Sequence, residues 1–210
     1  MADHTTPPDP NAIAPRDVAY QAEHDVTREG IGMSIETTSW AERAPADANL
    51  DDACRAAARD YPDCIQSMSL GLIGPGEGDP LTDGASLYIR PFGLKILEVM
   101  RFGPLRKHDD GSYYFEVIGG FLRSRHDPER IGRLTFEWFD DGGAERFRTA
   151  VKDYRSRLVG KRANALQRAF YRFTQMLAHR VVMWRYHVFV QRDRPRLLTE
   201  HPPAVHAPRE

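Results

Sequence analysis

Three polar residues stand among apolar ones where they could do acid/base or anion-binding chemistry. Glu98 alternates along LKILEVMRF with Leu94, Ile96, Met100 and Phe102. Facing inward, its carboxyl would lose solvation, its pKa would rise, and it could serve as a general acid or base. Facing outward near a bulge, it is a solvated carboxylate, since Lys95 and Arg101 leave the opposite face mixed. Asp153 shares a strand face with Phe147 and Val151, and reads either as a second acid/base or as a partner of nearby Arg155. Arg180 lies at the edge of a helical apolar stripe, beside Leu177 and Trp184. Facing inward, it would pair with Glu98 or Asp153, or hold an anionic head group through its forked guanidinium. Facing outward, it snorkels to water. His187 lies near the same edge.

A second group is aromatic. Tyr88, Tyr113, Phe115, Phe136, Trp138, Phe147, Phe173 and Trp184, with Leu177, either fill a core or line a cavity in which Tyr hydroxyls orient an apolar ligand. Other chemistries lack their motif. The 8 histidines (His4, His24, His108, His126, His179, His187, His201 and His206) form no H-E-x-x-H and no His/Cys cluster, so no metal and no other cofactor is expected. His179 and His187 face about 80° apart on a helix. The glycines of GLIGPGEGDPLTDG do not make a phosphate loop, because Glu77 follows Gly76 where a Walker loop needs Lys. No nucleophile elbow anchors Ser-His-Asp chemistry.

The elements that must position these residues follow from periodicity and turn signals. Gly32–Trp40 reads as a strand. Asn49 reads as an N-cap for a helix carrying Leu50, Ala53, Cys54, Ala57, Ala58 and Tyr61, which Pro62 stops; a short helix or turn covers Asp63–Ser69. Gly71–Gly84 reads as a loop. Ser86–Phe92 and Leu94–Phe102 form one bent strand or two. Tyr113–Phe121, Leu134–Phe139 and Arg146–Tyr154 alternate as strands, with Asp109-Asp110-Gly111 and Asp140-Asp141-Gly142-Gly143 as turns. No crossover helices separate them, so the sheet is expected to be antiparallel. One long helix runs from about Ala163 to Val190. Its stripe of Leu166, Phe170, Phe173, Leu177, Val181, Trp184 and Val188 recurs at steps of three and four.

Composition narrows the class. A chain of 210 residues defaults to one domain. Prolines and weak apolar patterning make residues 1–30 a disordered or extended segment and 192–210 a disordered tail, leaving 31–191 as the folded unit. There is no run long enough to span a bilayer and no secretory signal. Cys54 and Cys64 are too few for a disulfide framework, which favours a reduced, cytoplasmic protein. Residues 1–151 carry 16 Lys/Arg against 26 Asp/Glu, and residues 152–210 carry 13 against 4. The two halves should attract. A basic face for peripheral contact with an anionic membrane is the alternative, and the lack of a reading motif argues against nucleic acid.

YYFEVIGGF, DPERIGRLTFEWFDDGG, the strand ending DYRSRL and the helix ANALQRAFYRFTQMLAHRVVMWRY together resemble the helix-grip architecture of the START, polyketide-cyclase and lipid-transport superfamily. The P-E-x-I-G-x-L-x-F pattern, the D-D-G turn and the Q-R-containing helix are similar to a bacterial and plant branch of it. The resemblance covers about residues 86–190. It implies an α+β fold in which a curved antiparallel sheet wraps a long C-terminal helix. It also implies a hydrophobic small molecule, lipid or polyketide-like, held between them. Some members catalyse cyclisation, so a cofactor-independent cyclase or isomerase is the alternative. No catalytic signature of the superfamily maps onto this chain.

Overall fold

In a computed structural model, residues 18–26, 31–121, 123, 131–155 and 177–201 are described. They form an α+β domain. In chain order the elements are β1 (Val18–Val26), β2 (Ile31–Trp40), α1 (Leu50–Met68), β3 (Ile73–Pro75), β4 (Ala85–Ile89), a 3-10 turn (Pro91–Gly93), β5 (Leu97–Phe102), β6 (Arg106–Lys107), β7 (Tyr113–Gly119), β8 (Gly132–Asp141), β9 (Ala144–Arg155) and α2 (Leu177–Thr199). The strands join in one antiparallel sheet of 9 strands, ordered β1-β2-β9-β8-β7-β5-β4-β3, with β6 beside β7.

The hairpins follow the expected chemistry. The Asp141–Ala144 turn carries Gly142 and Gly143 at positive φ, and β8 and β9 pair in unbroken register above it. Asn49 caps α1 by accepting from the backbone N–H groups of Asp51 and Asp52. The 85–102 region resolves as two strands, β4 and β5, with a register shift at Leu87/Tyr88.

The inner face of the sheet meets both helices. Register places Tyr113, Phe115, Leu134, Phe136, Trp138, Phe147 and Thr149 on it, all buried. Phe136 packs on Tyr61 of α1 and on Tyr186 of α2, Phe147 packs on Tyr186, and Phe115 packs on Phe136, all edge-to-face or tilted. The Tyr186 hydroxyl donates to the Ala57 carbonyl at 2.8 Å, tying the two helices together.

Four sequence expectations change. First, residues 18–26, placed in the disordered or extended N-terminal segment, are a strand paired along its length with β2. Second, Pro62 does not stop α1. Cys64 and Ile65 beyond it are buried, and that burial offsets the roughly 3 kcal/mol an interior proline costs. Third, β3 lies inside the stretch read as a loop.

Fourth, α2 continues through Pro195 to Thr199 rather than ending near Val190. Leu197 and Leu198 are buried, and the Arg194 guanidinium grips the buried Glu145 carboxylate at 2.7 and 2.9 Å. The inward face of α2 also differs from the expected stripe. Met183, Tyr186, His187 and Val190 point in, while Val181, Trp184 and Val188 are exposed, Trp184 by 51%. Both faces are apolar at helical spacing, so periodicity could not choose between them, and the sheet did. Phe173 lies outside the described residues, as do the side chains of Asp153 and Leu177.

Candidate functional site

The inner face divides in two. Strands β7, β8 and part of β9 supply the aromatic half. Strands β1 and β2 with Thr149 of β9 supply a polar half, because pairing sets Tyr20 opposite Thr38, Ala22 opposite Glu36 and His24 opposite Ser34. Glu36 in turn faces Thr149 across β2 and β9. Strand β2 thus turns Ser34, Glu36 and Thr38 inward and leaves Met33 exposed, the reverse of the usual polar-out alternation.

Helix α2 runs along β2 and matches its spacing. Eight helical residues from His179 to His187 rise about 12 Å. Four strand residues from Ser34 to Thr38 span about 13 Å. Each histidine therefore meets a different polar pair of the same strand. His179 Nε2 lies 2.7 Å from the Ser34 hydroxyl and 3.4 Å from Glu36 Oε1. His187 Nδ1 lies 2.9 Å from Thr38 Oγ1, and its Nε2 lies 2.9 Å from Thr149 Oγ1.

The donors around His187 order themselves. Gln191 donates to Thr38 Oγ1 at 3.2 Å, so the Thr38 hydroxyl is free to donate to His187 Nδ1. Thr149 donates to Glu36 Oε2 at 3.4 Å, so it accepts from His187 Nε2–H. Every group is satisfied by one tautomer of a neutral ring. Burial accordingly drives the His187 pKa down to about 4, against a small upward pull from Glu36.

Glu36 is the hub. Its fully buried carboxylate accepts from Ser34 at 3.0 Å, and His24 Nδ1 lies 3.7 Å away. The His24 side chain is only 10% exposed, yet neither ring nitrogen has a hydrogen-bond partner among the described residues. Burial lowers the His24 pKa, with Glu36 opposing and His179 and Arg180 reinforcing. Burial and Glu36 push the neighbouring Tyr20 hydroxyl up to about 12. His179 is the group's contact with solvent, at 29% exposure. Donor atoms of His24, Glu36 and His179 all lie within 4.8 Å of one another. Sequence spacing showed no ligand cluster, yet folding assembles a set that could hold a metal ion.

The residues singled out from sequence fall elsewhere. Glu98 sits on the outer face with Ser86 and Tyr88. It accepts from both hydroxyls, at 3.1 and 3.2 Å, and from Arg101 through two bonds of 2.8 Å. Burial pushes its pKa up, but Arg101, Ser86 and Tyr88 outweigh it, and the carboxyl is held below its usual range. The raised pKa expected from an apolar surround is not found, because Leu94, Ile96 and Leu97 are exposed. Tyr88 therefore lies outside the aromatic interior. Arg180 is exposed, beside His179. Tyr113, Phe115, Phe136, Trp138 and Phe147 are brought together in the aromatic half. The Tyr113 hydroxyl donates to Asp51 at 2.9 Å, and the Trp138 indole donates to Glu145 at 3.0 Å.

The basic C-terminal part meets the acidic part within the chain. Arg194 pairs with Glu145, and Arg196 pairs with Asp60. Cys54 and Cys64 are both free and buried. Among the described residues, no helix is long and apolar enough to cross a membrane.

No protein-family model matches the sequence, and no curated protein matches it. Solved structures do. The crystal structure of CalU16 from Micromonospora echinospora is 8% identical, with 88% of this chain and 92% of that chain covered and a TM-score of 0.37. The solution structure of CalU16 is 10% identical over 67% of this chain, at a TM-score of 0.33, and the present chain spans 63% of its length. Ms6760 from Mycobacterium smegmatis is 14% identical over 87% of this chain and 99% of that one, at a TM-score of 0.39.

Proposed function

We propose that the domain is a helix-grip container that binds a hydrophobic small molecule, lipid or polyketide-like, between sheet and C-terminal helix. The polar end of that molecule meets His24, Ser34, Glu36 and His179. One observation carries the reading: a buried carboxylate beside a nine-tenths-buried imidazole neither of whose nitrogens has a hydrogen-bond partner among the described residues. Leaving such a group unsatisfied costs about 1–3 kcal/mol, which a ligand's hydroxyl or carbonyl would recover. Access is from the side of His179. Val151, half-buried and opposite Ser34 in register, begins the apolar wall that Phe147 and Phe136 continue.

A second reading, acid/base isomerisation or cyclisation at the same place, is favoured by the Glu36–Ser34–His179 chain. Its links of 3.0 and 2.7 Å connect a buried carboxylate to a solvent-reaching imidazole. Native mass spectrometry of the purified protein, followed by solvent extraction, tests the container. The expected result is one apolar molecule per chain. A chain that arrives empty, and stays empty against acyl and aromatic polyketide-like probes, overturns it.

A further inference from the structure

We propose that His24, Glu36 and His179 bind a divalent transition-metal ion of the zinc type, through two imidazoles and one carboxylate. The inference rests on the reading of this cluster as the binding centre, and it deepens that reading by naming an inorganic occupant.

The spacing fits a small tetrahedral ion. With bonds of about 2.0–2.1 Å, two tetrahedral ligands of zinc sit roughly 3.4 Å apart. Glu36 Oε1 lies 3.4 Å from His179 Nε2 and 3.7 Å from His24 Nδ1. The whole donor set falls within 4.8 Å, so modest side-chain closure completes the geometry. Two imidazoles with a single carboxylate select zinc and its transition-metal neighbours over magnesium and calcium, which take oxygen ligands.

The surroundings are arranged as a metal's outer ligand shell would be. Thr149 donates to Glu36 Oε2 at 3.4 Å, orienting the carboxylate so that Oε1 faces both imidazoles. The metal would replace the proton that His179 Nε2 now shares with Ser34. That leaves the Ser34 hydroxyl beside the fourth position, which is open to water or to an oxygen of a ligand. His24 has no hydrogen bond to give up among the described residues. The neighbouring His187 is not part of the set, because Thr38 and Thr149 occupy both its nitrogens.

The test uses the full chain, stripped with a chelator and titrated at neutral pH with Co2+ alone, followed by visible absorption and calorimetry. One cobalt per chain is expected, with the intense bands of four-coordination, and zinc should displace it. Glu36→Gln, His24→Ala and His179→Ala should each weaken binding by roughly 100-fold or more, while His201→Ala, at an exposed histidine, leaves it unchanged. Glu36→Gln preserves size, and His179→Ala changes a partly exposed side chain, so at least these two variants keep the fold testable by circular dichroism. Stoichiometric binding that is equally tight in all three variants overturns the assignment, as does no binding in the unsubstituted chain. Apolar-ligand binding by the metal-free chain is read separately by native mass spectrometry, so failure of the metal site and failure of the container are distinct results.

Discussion

Acidification should destabilise this protein through His187 by an amount that can be worked from its surroundings. The ring is buried, and its tautomer is set by Thr38 and Thr149, with Gln191 already donating to Thr38. A proton added at Nδ1 would place a charge in the dry interior and would force the Thr38 hydroxyl to turn its own proton away from the ring. The folded pKa is therefore about 4, against 6.5 when the ring is free. Because the folded value is the lower one, the unfolded chain takes up more protons between the two, and stability falls as pH falls. The loss begins near 6.5 and reaches about 3 kcal/mol by pH 4. Carboxylates also titrate over this range, so the measurement is a difference. Urea unfolding of the parent and of His187→Gln, followed by tryptophan fluorescence at pH 7, 6, 5 and 4, isolates the ring. The gap between the two stabilities should shift by about 3 kcal/mol against the parent as pH drops from 7 to 4. Parallel pH profiles would refute the reasoning.

Other substitutions separate the remaining contacts. Arg194→Ala leaves the Glu145 carboxylate buried without its cation and should cost about 3–5 kcal/mol in urea unfolding, most of which Glu145→Gln restores. Gly84 has φ +84°, and a Cβ there would collide with the Phe102 carbonyl and Gly103. Gly84→Ala should therefore cost at least about 2 kcal/mol, whereas Gly142→Ala, at φ +62° in open space, should cost about 1 kcal/mol. Glu98→Gln touches an outer-face ion pair and should change stability by less than about 1 kcal/mol. It should leave ligand and metal binding intact.

Strands β2, β4, β5, β7, β8 and β9 were legible because short-range chemistry sets them, whereas the two-residue β6 carries no pattern of its own. Glycine-bearing turns, alternating rings and the Asn49 cap all act within a few residues, and the inward faces of β7, β8 and β9 followed. What was not legible depends on long-range partners. Strand β1 has no strong alternation, and its pairing with β2 makes it a strand. Pro62 read as a stop and Pro195 as part of a disordered tail, but both lie in helices whose later residues are buried. The face of α2 was ambiguous because Trp184 and Tyr186 both sit on plausible stripes. The polar site was the least visible part. His24 lay in a segment read as unstructured, and Glu36 sits on the polar phase of a strand whose alternation points it to solvent. His179 was one histidine among 8. Only the registers β1–β2 and β2–β9, and the path of α2 along β2, bring them together.

The central claim is that ligands are received by His24, Glu36 and His179. It is tested most directly by imidazole NMR of the full chain labelled with 15N-histidine, titrated with a medium-chain fatty acid and with a naphthol as apolar probes. The account predicts that the His24 and His179 signals move as either probe saturates, while exposed His201 stays still, and that Glu36→Gln abolishes the shifts. Saturable probe binding that leaves His24 and His179 unmoved would contradict it.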